Sequence, residues 1–138
     1  MMSGKEGKFF TRGTTKVEHL DRGTHHWFSR PDITGSEDLM VTRVDVEPGN
    51  GHPFHRHPTM DEVIYIISGS AEQWIGQEAR NLGAGEAAFI PKNKVHATYN
   101  SGPETLCFLA MLSPAADLEG SMIYVYEEEP WRSLKEPL

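Results

Sequence analysis

The sequence predicts an all-β fold in one domain, either a sandwich or a barrel of short strands. Three observations lead to this prediction. Short runs of alternating or β-branched residues recur along the chain, turns rich in Gly and Pro separate them, and 138 residues suit a single domain. The 13 glycines and nine prolines also disfavour a helix bundle.

The regular strands begin near residue 39. Residues 1–38 are polar and irregular, apart from a short strand expected at 25–28. From residue 40 to 46, apolar and polar side chains alternate with a period of two, which predicts a strand with one buried face. Further strands are predicted over 62–67, 71–75, 80–86, 87–90, 95–99, 105–112 and 121–126, with a helical turn over 114–119. We therefore divide the chain into an N-terminal extension (1–38), a barrel (39–113) and a C-terminal strand and tail (114–138).

Composition and charge disfavour several classes of protein. The formal net charge of −7 argues against nucleic acid as the partner, because phosphate binding requires a basic surface. The single cysteine cannot form an intrachain disulfide. No apolar run approaches the roughly 18–20 residues that cross a bilayer, and residues 1–10 lack the apolar core of a signal peptide. We expect a cytoplasmic protein without a membrane or nucleic-acid partner.

Three of the seven histidines are spaced like metal ligands. His55 and His57 are two residues apart, so on a strand their side chains share a face. Glu62 begins the next predicted strand, and His96 begins a later one. Three imidazoles and one carboxylate without a thiolate are a plausible ligand set for a borderline divalent metal.

The same residues resemble the two motifs of the cupin superfamily. The first motif, G-x5-H-x-H-x3,4-E-x6-G, is filled at every fixed position by Gly49, His55, His57, Glu62 and Gly69. The second motif, G-x5-P-x-G-x2-H-x3-N, is filled by Gly85, Pro91, Asn93, His96 and Asn100. Asn93 stands where the motif has Gly, and Asn tolerates a positive backbone φ better than most residues. The departure therefore leaves the predicted ligands intact.

The resemblance implies a small single-domain cupin with a jelly-roll β-barrel. It implies one divalent transition metal per chain, held inside the barrel by His55, His57, Glu62 and His96. Iron, manganese, nickel, cobalt and zinc all accept these ligands. The resemblance also implies a homodimer, in which the N-terminal segment 1–38 could swap a strand with the partner and the C-terminal segment 114–138 could complete the barrel or the dimer.

The strand alternation predicts a largely apolar pocket beside the metal. If Glu62 and His96 face inward, residues two and four positions along their strands do too, and a third strand adds its own inward face. The predicted wall residues are Met40, Val44, Val46, Ile64, Ile66 and Thr98. Such a pocket suits a small organic substrate that the metal orients. The same pattern is equally typical of side chains that form the core of a small barrel. His52, in a loop rich in Gly and Pro at the barrel mouth, is the candidate catalytic base.

Three functions are compatible with this site. Four protein ligands on a six-coordinate ion leave two positions open, as in a catalytic rather than a structural centre. The favoured function is a dioxygenase-like oxidoreductase that acts on a small chelating organic substrate. The first alternative is a non-redox isomerase, lyase or decarboxylase of a sugar or keto acid, with a nearby base that moves a proton. The second alternative is a non-catalytic cupin that binds a small ligand.

Overall fold

The computed structural model describes residues 6–117 and 120–136. Within these residues the chain forms short β-strands and two single-turn helices, and no helix is long and apolar enough to cross a bilayer. The strands are β1 (Lys16–Leu20), β2 (Gly23–Ser29), β3 (Met40–Val46), β4 (Gly51–Arg56), β5 (Asp61–Ser68), β6 (Ser70–Ile75), β7 (Glu78–Gly83), β8 (Ala87–Ile90), β9 (His96–Tyr99), β10 (Leu106–Ser113) and β11 (Ile123–Tyr124). The helices are α1 (Pro31–Thr34) and α2 (Trp131–Leu134).

The strands form two antiparallel sheets that face each other. The six-stranded sheet has the order β1-β2-β3-β10-β5-β8, and the five-stranded sheet has the order β11-β4-β9-β6-β7. Successive strands from β3 to β6 alternate between the two sheets, which is the connectivity of a jelly roll. The predicted all-β jelly-roll fold is confirmed.

The sequence pattern located most strands of the barrel, but β4 was not among the strands it predicted. Buried and partly exposed residues alternate along the whole of β3 and most of β10, as a strand with one core face requires. The prediction was wrong near the C terminus, where the strand expected over 121–126 shortens to the two residues of β11. Residues 114–117 form no helical turn, and the remainder of the turn predicted there, 118–119, lies outside the described residues.

The N-terminal segment contains more regular structure than its polar sequence indicated. β1 and β2 form a hairpin through the turn Asp21–Arg22, and β2 then pairs with β3 of the same chain. β2 contains the short strand expected at 25–28, but β1 was missed because its residues are mostly exposed and carry no core pattern. This hairpin brings the Asp21–Arg22 turn to one open end of the barrel.

The main core lies between the two sheets. Its largest side chains come mostly from the six-stranded sheet, and each is almost fully shielded from solvent: Trp27, Met40, Ile66, Ile90, Leu106 and Phe108. Full burial of each aliphatic or aromatic side chain contributes about 1.5–3 kcal/mol relative to exposure.

The two sheets differ on their outer faces. The C-terminal segment covers the five-stranded sheet, where Phe54 is fully buried against Trp74 and Trp131. An ion pair of 3.0 Å between Lys135 Nζ and a carboxylate oxygen of Glu72 holds the C-terminal segment against this sheet. On the six-stranded sheet the corresponding outer face carries exposed apolar side chains: Tyr65, Ile67 and Phe89.

Candidate metal centre

Four buried side chains converge between the two sheets. His55, His57, Glu62 and His96 each offer one ligand atom, and these atoms lie within 4.8 Å of one another. His55 belongs to β4 and His96 to β9, in one sheet, whereas Glu62 belongs to β5 in the opposite sheet. His57 follows the last residue of β4. The residues that the two motifs single out therefore form a single cluster in space.

Strand pairing explains how His55 and His96 meet although 41 positions separate their numbers in the chain. The two residues lie directly opposite each other in the antiparallel pair β4–β9, and their ring centroids are 4.2 Å apart. The ring of His57 lies 5.0 Å from that of His55 and 5.4 Å from that of His96. Cross-strand neighbours on one face of a sheet approach this closely as a matter of geometry.

The backbone fixes the orientation of two of these imidazoles. Nδ1 of His55 lies 2.7 Å from the carbonyl oxygen of Pro53, and Nδ1 of His96 lies 3.0 Å from that of Lys94. In each ring the Nδ1–H donates to a carbonyl two residues earlier, which leaves the lone pair of Nε2 for a metal. Such hydrogen bonds are the usual means by which a protein holds a metal-binding histidine in one tautomer.

The buried polar atoms at the centre lack partners of their own. Oε1 of Glu62 lies 3.0 Å from Nε2 of His96 and 3.4 Å from Nε2 of His57, but these contacts do not have hydrogen-bond geometry. Unpaired buried polar atoms are costly, so atoms that converge in this way fit a bound cation. Residues of this type and placement could hold a divalent transition metal.

The electrostatics favour the ligand-competent protonation states. Burial lowers the pKa of His55 well below its ordinary value, helped by His96 and His57, so the ring is neutral. Burial alone would raise the pKa of Glu62, but its contacts with His57 and His96 outweigh burial and lower the pKa. A neutral imidazole and an ionised carboxylate are the forms that bind a metal.

A tight turn joins the two motifs beside the centre. Asn93 has a φ of 66°, and it is the one non-glycine residue with a positive φ among residues 6–117 and 120–136. Its N–H donates to the carbonyl oxygen of His57 over 2.8 Å, and its side-chain oxygen accepts from Arg56 over 2.6 Å. The expectation that Asn would serve at this glycine position is confirmed. The turn also anchors the backbone of one ligand.

A cavity of about 370 Å³ opens from the cluster towards one end of the barrel. Its apolar wall includes Val44 and Ile64, as predicted, together with Phe108, and Thr98 also lines it as predicted. The prediction was wrong for Met40, Val46 and Ile66, which are buried in the main core and do not line the cavity. Strand alternation correctly predicted that these three side chains face inward. It could not predict how far along the barrel axis each side chain lies.

His52 also lines this cavity, but the predicted loop around it is wrong. It lies on β4, with one extra residue inserted between His52 and His55 relative to the partner strand β9. In a regular strand, residues three apart face opposite sides, and the bulge brings both imidazoles to the cavity side. Burial lowers the pKa of His52 to about 4, helped by the neighbouring His25, so its ring is neutral.

Sequence reasoning missed several cavity residues with polar side chains, among them His25 and Arg22. His25, on β2, lies nearly parallel to His52 with ring centroids 5.7 Å apart, and its Nδ1 is buried without a hydrogen-bond partner. Arg22, in the turn that precedes β2, lines the cavity mouth. The alternation of His25 with the buried Trp27 indicated that His25 faces inward, but nothing in the sequence indicated which residue it would meet.

The part of the chain that contains the cluster also resembles known proteins. The family model described as Cupin domain matches residues 42–112, just over half of the chain. The chain belongs to the cupin family. The span of the match contains all four residues of the cluster, and the jelly-roll topology of this cupin agrees with it.

Two curated relatives resemble this cupin over most of the barrel. The pectin degradation protein KdgF of Dickeya dadantii (strain 3937) is 34% identical over 89 residues, which are 64% of this chain and 77% of that protein. Dimethylsulfoniopropionate lyase DddQ of Ruegeria pomeroyi is 33% identical over 94 residues, 67% of this chain. This cupin spans less than half of the length of that lyase, 45%.

A solved structure shows the same fold. The structure of KdgF from Halomonas sp. superposes with a TM-score of 0.71 and covers 81% of this cupin and 97% of that chain, at 23% sequence identity. At this level of identity the likeness concerns the fold.

Proposed function

We propose that this cupin is a metal-dependent lyase or isomerase that moves a proton on a small organic substrate. The observation that carries the proposal is the position of the His52 imidazole, which lines the same cavity as the four candidate metal ligands. An enzyme that shifts or eliminates a group beside a carbonyl requires an electrophile and a base on one substrate.

His55, His57, Glu62 and His96 would hold the metal. When bound, a divalent metal polarises a carbonyl or carboxylate oxygen of the substrate and stabilises the negative charge that develops there. Four protein ligands leave room for a chelating substrate. The neighbouring apolar wall, with Val44, Ile64 and Phe108, excludes water from the carbon skeleton.

His52 would accept the proton at its unprotonated ring nitrogen. As the C–H bond breaks, its electron pair forms a new carbon–carbon double bond, and in a lyase the leaving group departs with its own bonding pair. A base with a pKa of about 4 is weak in the empty cavity. A bound anionic substrate raises the pKa of an adjacent imidazole and makes it a better acceptor.

The curated relatives support this choice over an oxygenase. One is named as a lyase of dimethylsulfoniopropionate, and the other as a pectin degradation protein. Both names refer to carboxylate-bearing compounds, since pectin is a polymer of uronic acids. Neither name refers to oxygen, so the dioxygenase-like oxidoreductase predicted from the ligand set becomes the second candidate.

Solvent deuterium exchange tests the proposal. The chain is loaded separately with manganese, iron, nickel, cobalt or zinc, and its metal content is measured by elemental analysis. Proton NMR in D₂O then follows dimethylsulfoniopropionate, unsaturated and saturated uronic acids, and simple keto acids under argon. We expect metal-dependent exchange or elimination of a C–H proton, lost in both His52→Ala and His55→Ala.

The outcomes separate the candidates. Consumption of dioxygen with no reaction under argon would replace the proposal by the oxygenase. Binding of these compounds without turnover for any metal would replace it by a non-catalytic ligand-binding cupin. Turnover that His52→Ala leaves unchanged would remove the base from the proposal.

We further propose that the chain forms a homodimer through the outer face of its six-stranded sheet. This face exposes Tyr65, Ile67 and Phe89, whereas the C-terminal segment covers the other sheet. Apolar patches on a sheet face are typical of interfaces. Light scattering after gel filtration should give twice the chain mass, and Phe89→Glu should give a monomer. A monomeric wild type would overturn this, and a dimer that persists in Phe89→Glu would point to a swapped N-terminal strand instead.

A further inference from the structure

Arg22 extends from the β1–β2 turn to the mouth of the metal cavity. Together with its neighbours Leu20 and Asp21, it lines the same cavity as the ligand cluster and His52. It is the one arginine or lysine among the cavity-lining residues of the described chain. The cavity therefore carries a fixed positive charge at its mouth, distant in sequence from both cupin motifs.

Two tyrosines hold the guanidinium in place. Its central carbon lies 5.6 Å from the ring centroid of Tyr124 and 5.5 Å from that of Tyr126, within the range of a cation–π interaction. The two phenol rings are nearly perpendicular to each other, and both lie close to the guanidinium group. Contacts with aromatic rings fix the position of an arginine side chain without neutralising its charge.

The guanidinium has no anionic partner within the described residues. No ion pair joins Arg22 to a carboxylate, although Asp21 is its neighbour in the turn and Glu62 lines the same cavity. Its Nη1 is buried without a hydrogen-bond partner. A buried charged donor left unpaired is costly, so the site is built to receive an acceptor from outside the chain.

One aromatic ring lies close to both this charge and the ligand cluster. Tyr124 pairs with His55 across β11 and β4, and their ring centroids are 6.0 Å apart. The same tyrosine therefore lies close to both Arg22 and a candidate metal ligand. A small molecule that fills the cavity can therefore reach both the cluster and the guanidinium.

We infer that Arg22 binds a carboxylate of the substrate at the cavity mouth while a second oxygen group of the same molecule faces the metal ligands. This inference rests on the proposed function and narrows its substrate to small organic acids that carry a carboxylate at one end and a metal-chelating oxygen group at the other. The planar guanidinium matches a carboxylate in a two-point contact that lysine cannot make. The apolar wall suits the short carbon chain between the two ends.

Two probes that differ only in the distal carboxylate test the inference. The chain loaded with cobalt is titrated calorimetrically with 2-oxoglutarate and with 2-oxopentanoate, which share the chelating keto-acid end. We expect 2-oxoglutarate to bind about 10- to 100-fold more tightly, the range expected for a charge-assisted contact. The longer 2-oxoadipate is titrated alongside to cover a wider separation of the two ends.

Variants at two arginines complete the design. Arg22→Met should equalise the affinities of the dicarboxylates and 2-oxopentanoate, and Arg22→Lys should retain part of the preference. Arg12→Met changes an exposed arginine outside the cavity and should leave the preference unchanged. Thermal unfolding of each variant shows whether it is folded before it is titrated.

The outcomes distinguish this inference from the proposed function. Equal affinity of all probes for the wild type, absence of binding, or a preference that survives in Arg22→Met would overturn the role of Arg22. An Arg22-dependent preference in a protein without proton-transfer turnover would uphold the carboxylate site while the proposed reaction fails.

Discussion

The cavity holds two groups of histidines that are built in different ways. In the ligand cluster, two of the imidazoles, His55 and His96, are fixed by backbone carbonyls two residues earlier in the chain. In the histidine stack, which we define as His25 and His52, the rings come from strands of opposite sheets and lie nearly parallel to each other. The orientation of these two ligands thus depends on local backbone geometry, whereas the contact within the stack depends on the packing of the two sheets.

This difference suits the different tasks that we propose for the two groups. A metal ligand must keep one tautomer and one orientation, and a hydrogen bond to the adjacent backbone provides both. A base must instead change its protonation state during the reaction, so it benefits from a site whose pKa depends on what occupies the cavity. The stack, where His25 and burial together lower the pKa of His52, is such a site.

The largest expected effect separates the two groups by metal content. His96→Ala should lower metal affinity by more than about 100-fold, since it removes a direct ligand and even indirect supports cost 10–100-fold. His52→Ala should retain the metal. Elemental analysis after dialysis measures both, with the exposed His19→Ala as control. Full metal content in His96→Ala would show that the cluster does not bind it.

The second effect concerns turnover. His52→Ala should reduce kcat by about 10²- to 10⁴-fold, the usual contribution of a general base, with little change in metal content. The rate with the substrate found by deuterium exchange gives the value. A loss confined to KM would mean that His52 positions the substrate and transfers no proton.

The third effect is on stability against pH in the metal-free chain. The pKa of His52 is about 4 when folded and near 6.5 when unfolded, so below pH 6.5 the unfolded state binds more protons. Folding stability should therefore fall as the pH drops from about 6.5 to 4, and this residue should account for about 3 kcal/mol of that fall.

Urea unfolding at a series of pH values measures this loss. His52→Gln, which cannot be protonated in this range, should show a correspondingly smaller decrease than the wild type. Other groups, including His25 and Glu62, titrate in both proteins, so the difference between the two curves isolates His52. Parallel curves would contradict the buried neutral state of this residue.

The smallest expected effect is on the stability of the fold at β4, the strand that contributes residues to both the ligand cluster and the histidine stack. A Cβ on Gly51 would lie 2.5 Å from the carbonyl oxygen of Thr98 and 2.8 Å from Cα of Tyr99, so β4 and β9 must separate to admit it. Gly51→Ala should cost about 1–3 kcal/mol, as overpacking does. Gly13→Ala, where no atom lies within 4 Å, is the control, and urea unfolding measures both. Equal stability would show that the pairing of β4 with β9 tolerates the change.

The sequence by itself determined most strands of the barrel and the four residues of the candidate ligand cluster. Alternation with a period of two is a local property, and so are the His55–His57 spacing and the tolerance of Asn93 for a left-handed turn. The cluster could be predicted because its four residues occupy fixed positions of the two cupin motifs and face the inside of the barrel. The same rule placed Val44, Ile64 and Thr98 in the cavity wall.

Only the tertiary structure decided the rest of the cavity. A pattern with a period of two cannot reveal the extra residue in β4. The sequence therefore predicted a loop around His52 and did not predict which way its side chain faces. The contact of His25 with His52 depends on how two sheets pack, and that of Arg22 with Tyr124 and Tyr126 joins the two ends of the chain. Such contacts between residues far apart in sequence arise from the packing of whole elements, which no local pattern records.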